Sequence, residues 1–349
     1  MSTLQALLGT EFPLIQAPMA GAQGSALALA VSGAGALGSL PAAMLTPDAL
    51  RAELAVLAAS GRPCNVNFFC HTPPEPDATR ETAWRATLAP YYAELGLDSA
   101  AVPAGAERAP FSADLADLIA PFRPPVVSFH FGLPAPALLA RVKAWGATVL
   151  SSATTVDEAV WLQAHGADAV IAQGLEAGGH RGHFLRHDLS EQAGTFALLP
   201  QVVAAVSVPV IAAGGIADAA SVRAARALGA AGVQVGTAYL CCPEATTSAL
   251  HRAALRSDAA RHTALTNLFT GRPARGIVNR VMRELGGLSA AAPEFPLANA
   301  AMAPLRAAAE ARGSSDFSPL WSGQNTRGCR AVPAAELTRA LAAGFGGIH

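Results

Sequence analysis

Residues 204–239 alternate an apolar run, a glycine loop, a helix, a second apolar run and a second glycine loop. The run 208–213 (VPVIAA) has the continuous, β-branched character of a parallel strand buried on both faces. It stops at Gly214-Gly215-Ile216. Asp218 is placed to cap a helix over 219–228, and Gly229 to end it. Gly232–Val235 reads as the next strand, with Gly236-Thr237 directly after it. Glycine turns at the C-terminal ends of adjacent parallel strands leave backbone N–H groups free to face an anion. One such loop needs nothing more than a tight turn. Two, one unit apart, predict a phosphate site.

The same rhythm runs upstream. Apolar runs at 14–18, 36–40, Cys64–Phe69, 125–129, 147–151 and 167–172 precede helical stretches at Ser25–Ser32, Pro47–Ala59, 135–145, 155–165 and 196–205. Eight strands alternating with helices predict a TIM (β/α)8 barrel rather than an open sheet. No GxGxxG follows the first strand, which argues against a dinucleotide-binding fold. Residues 71–125 break the rhythm with a Pro-rich loop and two helices, near 83–95 and Ala113–Ile119, and read as an insertion. The expected layout is a barrel over 1–242, a smaller helical domain over 243–315 covering the mouth, and a segment 316–349. The last helix of that segment, 333–343, returns to complete the barrel.

At 349 residues the chain suits one barrel plus an addition. A net charge of -1, with no basic run, argues against nucleic acid or an anionic membrane as partner. Gly and Pro cut every apolar stretch well before ~18 residues, so no membrane-spanning helix is expected. The N-terminal residues lack the basic start of a secretion signal. Five cysteines form no CxxC pair, so no disulfide framework or metal site is expected, and a reduced, cytoplasmic setting is.

Polar groups at strand ends narrow the chemistry, since that end of a barrel holds the active site. Asn67 ends the third strand and Gln173 the sixth; either amide suits a heteroaromatic ring. His130 ends the fourth strand, and His180 ends the glycine loop after the sixth. Lys143 reads as a solvated helix residue. Arg272 and Arg275 lie beyond the repeat.

Several motifs together resemble the nitronate monooxygenase family, formerly called 2-nitropropane dioxygenase. They are QAPMAG (16–21), NVNF (65–68), SFHFG (128–132), QGLEAGGHRG (173–182), AGGI (213–216), QVGT (234–237), TGRPARG (270–276) and LWSGQ (320–324). The likeness spans nearly the whole chain, and QGLEAGGHRG with SFHFG points to the bacterial class I type. It implies a barrel carrying FMN, no metal, and oxidation of alkyl nitronates by O2 to carbonyl compound and nitrite. Propionate 3-nitronate is the implied substrate, and detoxification the implied role. By the same likeness, Gly215, Gln234, Val235, Gly236 and Thr237 would hold the FMN phosphate. Asn67, Gln173 and Gly178 would contact the ring or ribityl chain, and Pro18 and Met19 would lie along the ring. Ala17, Gly179 and Gly214 complete the cofactor-binding set. His130 matches the family's histidine in SFHFG and is the expected general base. His180 competes for that role and otherwise lines the substrate pocket with Arg275. A monomer or homodimer is expected. One departure stands out: no lysine follows Lys143, whereas family members often carry one near the substrate.

Other readings remain open. An NAD(P)H-dependent flavin quinone or enoyl reductase would use the same barrel. A flavin-free lyase or isomerase would act on a phosphorylated metabolite; its aldolase version would want a strand-end lysine, which is missing. A non-catalytic flavin carrier would bind FMN without being reduced by substrate.

Overall fold

The computed structural model describes residues 3–99 and 108–346. Residues 100–107, between the two helices expected in the 71–125 insertion, therefore lie outside the described residues. The strands are β1 (Leu14–Gln16), β2 (Gly38–Pro41), β3 (Cys64–Phe69), β4 (Val126–His130), β5 (Thr148–Ala153), β6 (Ala169–Gln173), β7 (Gly179–His180), β8 (Val210–Ala213), β9 (Gly232–Val235), β10 (Thr263–Thr266) and β11 (Ala274–Ile277). Eight of them pair in parallel in the order β1-β9-β8-β6-β5-β4-β3-β2. The ring closes where Gln16 N–H donates to Leu37 O and Leu37 N–H to Leu14 O, each at 2.9 Å. The fold is a (β/α)8 barrel.

The barrel interior is divided by depth. At its base Ile15, Leu37, Val126, Leu150 and Ile211 pack around Leu4 and Leu8. Those two leucines come from the short helix Thr3–Leu8, which plugs the bottom. Towards the mouth the filling turns polar: Asn65 Nδ2 donates to Ser39 Oγ at 3.0 Å, and Asn67 Nδ2 to Ser128 Oγ at 2.9 Å. Buried polar groups hold position only when paired, so this layer fixes the floor of the cavity above it.

The helices follow local signals. Thr46 caps Pro47–Ala59 and Thr155 caps Val156–Ala164, each accepting a backbone N–H. Asp218 and Ser221 form a reciprocal capping box on Ala219–Ala227. The helix Ala334–Ala342 packs against Ser25–Ser32 and Ala219–Ala227, joining the two ends of the barrel's helical ring. No helix among the described residues is long and apolar enough to cross a membrane.

Two expectations need correction. The 243–315 segment is not wholly helical: β10 and β11 form an antiparallel sheet with β7, which belongs to the loop after β6. The insertion also divides. Its first helix starts earlier than expected, at Ala78 behind the Asp77 cap, and runs to Leu95. Its Trp84, Leu88, Tyr91 and Tyr92 share a core with Met302 and Leu305 of the helix Asn299–Ala311. Its second helix, Ala113–Ile119, packs on the barrel instead. The split follows from which apolar face each helix must bury.

Candidate active site

A cavity of about 420 Å³ opens at the C-terminal ends of the strands. Ala17, Pro18, Met19, Asn67, His130, Gln173, Gly178, Gly179, His180, Gly214, Gly215, Gln234, Gly236 and Thr237 all line it. Two expected residues do not. Val235 packs into the apolar layer on the barrel's outer side. Arg275 sits next to the loop through the β7–β11 pairing, but its side chain turns away. Its Nε donates to Leu175 O at 2.6 Å and its Nη1 to Thr263 O at 3.2 Å. It clamps backbone rather than facing the cavity.

One end of the cavity is made of backbone. Gly214 and Gly215 adopt φ of 116° and 73°, a region closed to most side chains. Among the described residues, no acceptor takes the N–H of Gly215 or Gly236. Asn325 Nδ2 donates to Gly215 O and Gly323 N–H to Thr237 Oγ1, both at 2.9 Å, so the 322–329 loop braces these turns. Gln234 Oε1 is buried without a partner among the described residues. Unsatisfied donors and a buried orphan acceptor facing one cavity fit a ligand with an anionic group and a polar ring system. These residues fit FMN.

The loop from Gln173 to Gly182 is held by its own side chains. Arg181 is fully buried and donates to Gln192 Oε1 at 2.8 Å and to the carbonyls of Gly174 and Gln173 at 2.7 Å. Burial lowers its pKa to about 10. Glu176 accepts from Thr195 N at 2.7 Å and Thr195 Oγ1 at 2.9 Å. Gln173 Nε2 donates to His180 O at 2.9 Å, and its Oε1 accepts Gly182 N–H at 2.7 Å. Much of the Gln173 amide is therefore spent on shaping the loop. A Cβ at Gly178 would lie 2.5 Å from Gly323 N, so this glycine permits two loops to meet.

The two histidines differ in what their nitrogens do. His130 Nε2 lies 3.2 Å from His180 O, which can only accept, so Nε2 carries the proton. Nδ1 then accepts from Ser152 Oγ at 3.1 Å. Both ring nitrogens are occupied. His180 Nε2 meets Thr270 Oγ1 at 2.9 Å, and its Nδ1 has no partner among the described residues. Phe295, Trp321, Phe131 and Phe69 surround the His180 ring at 5.2, 5.5, 6.2 and 6.3 Å between centroids. Burial pushes the His130 pKa down to about 3, and that of His180 well below its ordinary value, with nearby arginines adding to each. Both rings are neutral at pH 7. Phe131 holds φ at 70°, rare for an aromatic residue, and lies 4.0 Å beneath the Arg272 guanidinium.

The sequence profile of the nitronate monooxygenase family matches residues 1–344. The chain belongs to the nitronate monooxygenase family. It is 43% identical over 341 residues to the nitronate monooxygenase of Pseudomonas aeruginosa, covering 96% of each chain. It is 41% identical to that of Paraburkholderia phytofirmans, covering 96% of this chain and 92% of the other. Nitroalkane oxidase from Streptomyces ansochromogenes superposes with a TM-score of 0.89 at 38% identity, covering 99% and 98% of the two chains. FabK from Thermotoga maritima superposes less closely, at 0.71 and 26% identity, covering 99% and 96%.

Membership in the nitronate monooxygenase family was legible in the motifs, but part of the cavity wall was not. Arg108, His251 and Arg306 also line the cavity. Arg108 follows a Pro-rich stretch without periodicity. Arg306 lies four residues before Glu310 and pairs with it at 2.8 Å, the pattern of an ordinary surface pair. His251 Nε2 bonds Trp321 O at 3.0 Å, a contact between segments seventy residues apart. None of these had a local signal beyond the LWSGQ motif that holds Trp321.

Proposed function

We propose that this protein oxidises alkyl nitronates with O2 on bound FMN, giving a carbonyl compound and nitrite. Propionate 3-nitronate is the substrate favoured by the resemblance, and removal of a toxic nitronate the role. The observation that carries the reading is the pairing of unfilled N–H groups at Gly215 and Gly236 with an unpartnered imidazole nitrogen on His180 in one cavity.

FMN, when bound, supplies the redox chemistry, taking electrons from the nitronate and passing them to O2. The chain's own residues bind, orient and move a proton. Gly215, Gly236 and Thr237 bind the phosphate through backbone N–H groups. Gln234 and Asn67 offer polar atoms to the ring system, and Pro18 and Met19 offer apolar surface. As base we favour His180 over His130, the residue expected from the resemblance. A base needs a free lone pair, and both nitrogens of His130 are engaged. With Nε2 protonated and donating to Thr270, Nδ1 of His180 accepts the α-proton of a neutral nitroalkane. His130 positions that ring by holding its backbone carbonyl. The helix Ala78–Leu95, together with 243–315, forms the substrate-side cover.

The reading is tested by mixing the FMN-loaded protein with a nitronate in the absence of O2. Bleaching of the oxidised-flavin absorbance is expected. An unchanged spectrum contradicts it.

A further inference from the structure

Behind the glycine turn that follows β9, two thiols meet. Cys241 closes the short helix Thr237–Cys241, which begins at that turn. Cys329 closes the 322–329 loop that braces it. Cys329 Sγ lies 3.1 Å from Thr237 O, so the thiol of the loop also touches the turn itself. The two cysteine side chains are hydrogen-bonded to each other and share one apolar cluster with Leu240, Leu255, Ile277 and Leu320. Cys241 is buried, and the half-buried Cys329 gives the pair its opening to solvent.

The surroundings favour a thiolate on one of the two. Arg252 donates to Cys241 O at 2.7 Å and to Cys242 O at 2.9 Å, which places a cation beside this stretch. The Cys329 S–H, followed by the charges of Arg256 and Arg252, pulls the Cys241 thiol down to about 7. Burial pushes Cys64, Cys70 and Cys242 up instead, so these stay protonated. A thiolate with a second sulfur in contact and a path to solvent is the arrangement of a redox-responsive cysteine rather than an inert one.

We propose that Cys241 and Cys329 form a reversible redox pair, whose disulfide staples the bracing loop to the turn after β9. The oxidant is a hydroperoxide, hydrogen peroxide in the simplest case. The Cys241 thiolate attacks one oxygen; the O–O bond breaks, and hydroxide leaves, taking a proton from solvent to become water. The Cys329 sulfur then attacks the sulfenic acid. The S–S bond forms, the S–O bond breaks, and the Cys329 proton leaves with the hydroxyl as a second water. A thiol reductant reverses the bond by exchange. The staple holds Gly323 and Asn325 where they support Thr237 and Gly215, and so slows escape of the group that the turns bind. That this group is FMN rests on the function proposed above; the redox pair does not.

Treating the FMN-loaded protein with hydrogen peroxide and mapping its thiols by mass spectrometry tests this. One internal link between Cys241 and Cys329 is expected, with Cys64, Cys70 and Cys242 still free and full reversal by dithiothreitol. Cys241→Ser or Cys329→Ser should abolish the link, and Cys242→Ser should keep it. FMN release on dilution, followed by recovery of flavin fluorescence, is expected to slow roughly threefold to tenfold in the linked protein, the gain from preordering one loop. Cys329→Ser treated alike should show no slowing. Oxidation of the thiols without a link, a link that uses Cys242, or a link that leaves FMN release unchanged or faster overturns the proposal. A link that forms in protein unable to bind FMN, and slows trypsin cleavage after the exposed Arg327, keeps the staple and loses the cofactor reading. Without that slowing the staple is overturned as well.

Discussion

The two ends of the cavity are built by different means. The end proposed for the phosphate is backbone: two glycine turns, one βα unit apart, present N–H groups at the ends of β8 and β9. The end proposed for the substrate is side chain: His180 from the loop after β6, Arg306 from the helix Asn299–Ala311 and Arg108 from the insertion, with Phe295 packed against the His180 ring. A backbone site depends on local conformation, which a few glycines specify. A side-chain site depends on which distant segments meet. The first tolerates little change in chain geometry; the second permits change of substrate without loss of cofactor.

The largest expected effect separates the histidines at the second end. His180→Asn is expected to lower turnover of a neutral nitroalkane by roughly 10²–10⁴-fold, the usual contribution of a general base. FMN content should stay normal, and a preformed nitronate should suffer less because its proton is already gone. His130→Asn should cost less than His180→Asn, because it acts through the carbonyl it holds. Stopped assays with both substrate forms decide the matter, and the reverse ranking restores His130 as the base.

That contrast also explains what the sequence disclosed. The eight barrel strands were legible because each is a short apolar run bounded by glycine or proline, and their helices because Thr46, Thr155 and Asp218 are plain caps. The glycine turns at 214–215 and 236–237 were legible for the same local reason. The helix Thr3–Leu8 was not, being one short element of 6 residues. Strand β7 was hidden because its pairing with β11 joins segments about ninety residues apart, and β10 and β11 because each is only four residues long. The direction of Arg275 and the approach of Arg108 to Phe295 depend on that tertiary packing, so neither had a sequence signal.

A smaller effect probes the backbone end. Gly215→Val forces a β-branched residue to φ 73°, with its Cβ in ordinary contact with Glu176 Cβ at 3.6 Å. FMN affinity is expected to fall about 10–100-fold, reflecting roughly 1–2 kcal/mol of left-handed strain plus a displaced N–H. Fluorescence titration with riboflavin alongside FMN sharpens the result. The loss should be larger for FMN, since only FMN carries the phosphate.

The smallest effect is on stability, and it belongs to the side-chain end. Burial lowers the pKa of His130 to about 3 and of His251 to about 4. Both are neutral in the fold, while the unfolded chain takes up their protons below about pH 6.5. Their contribution is therefore complete above that pH and is lost as pH falls towards about 4. Each adds a slope of up to about 1.4 kcal/mol per pH unit in that window. Chemical denaturation at several pH values should show His251→Gln with a shallower decline than the unmodified protein. An equal slope would mean that His251 is protonated in the fold.

The most direct test of the whole account is O2 consumption by the purified, FMN-loaded protein with propionate 3-nitronate and no NAD(P)H. Rapid uptake with release of nitrite is the predicted result. No uptake, accompanied by rapid NADH oxidation with a quinone, would contradict it and assign the cavity to reductase chemistry.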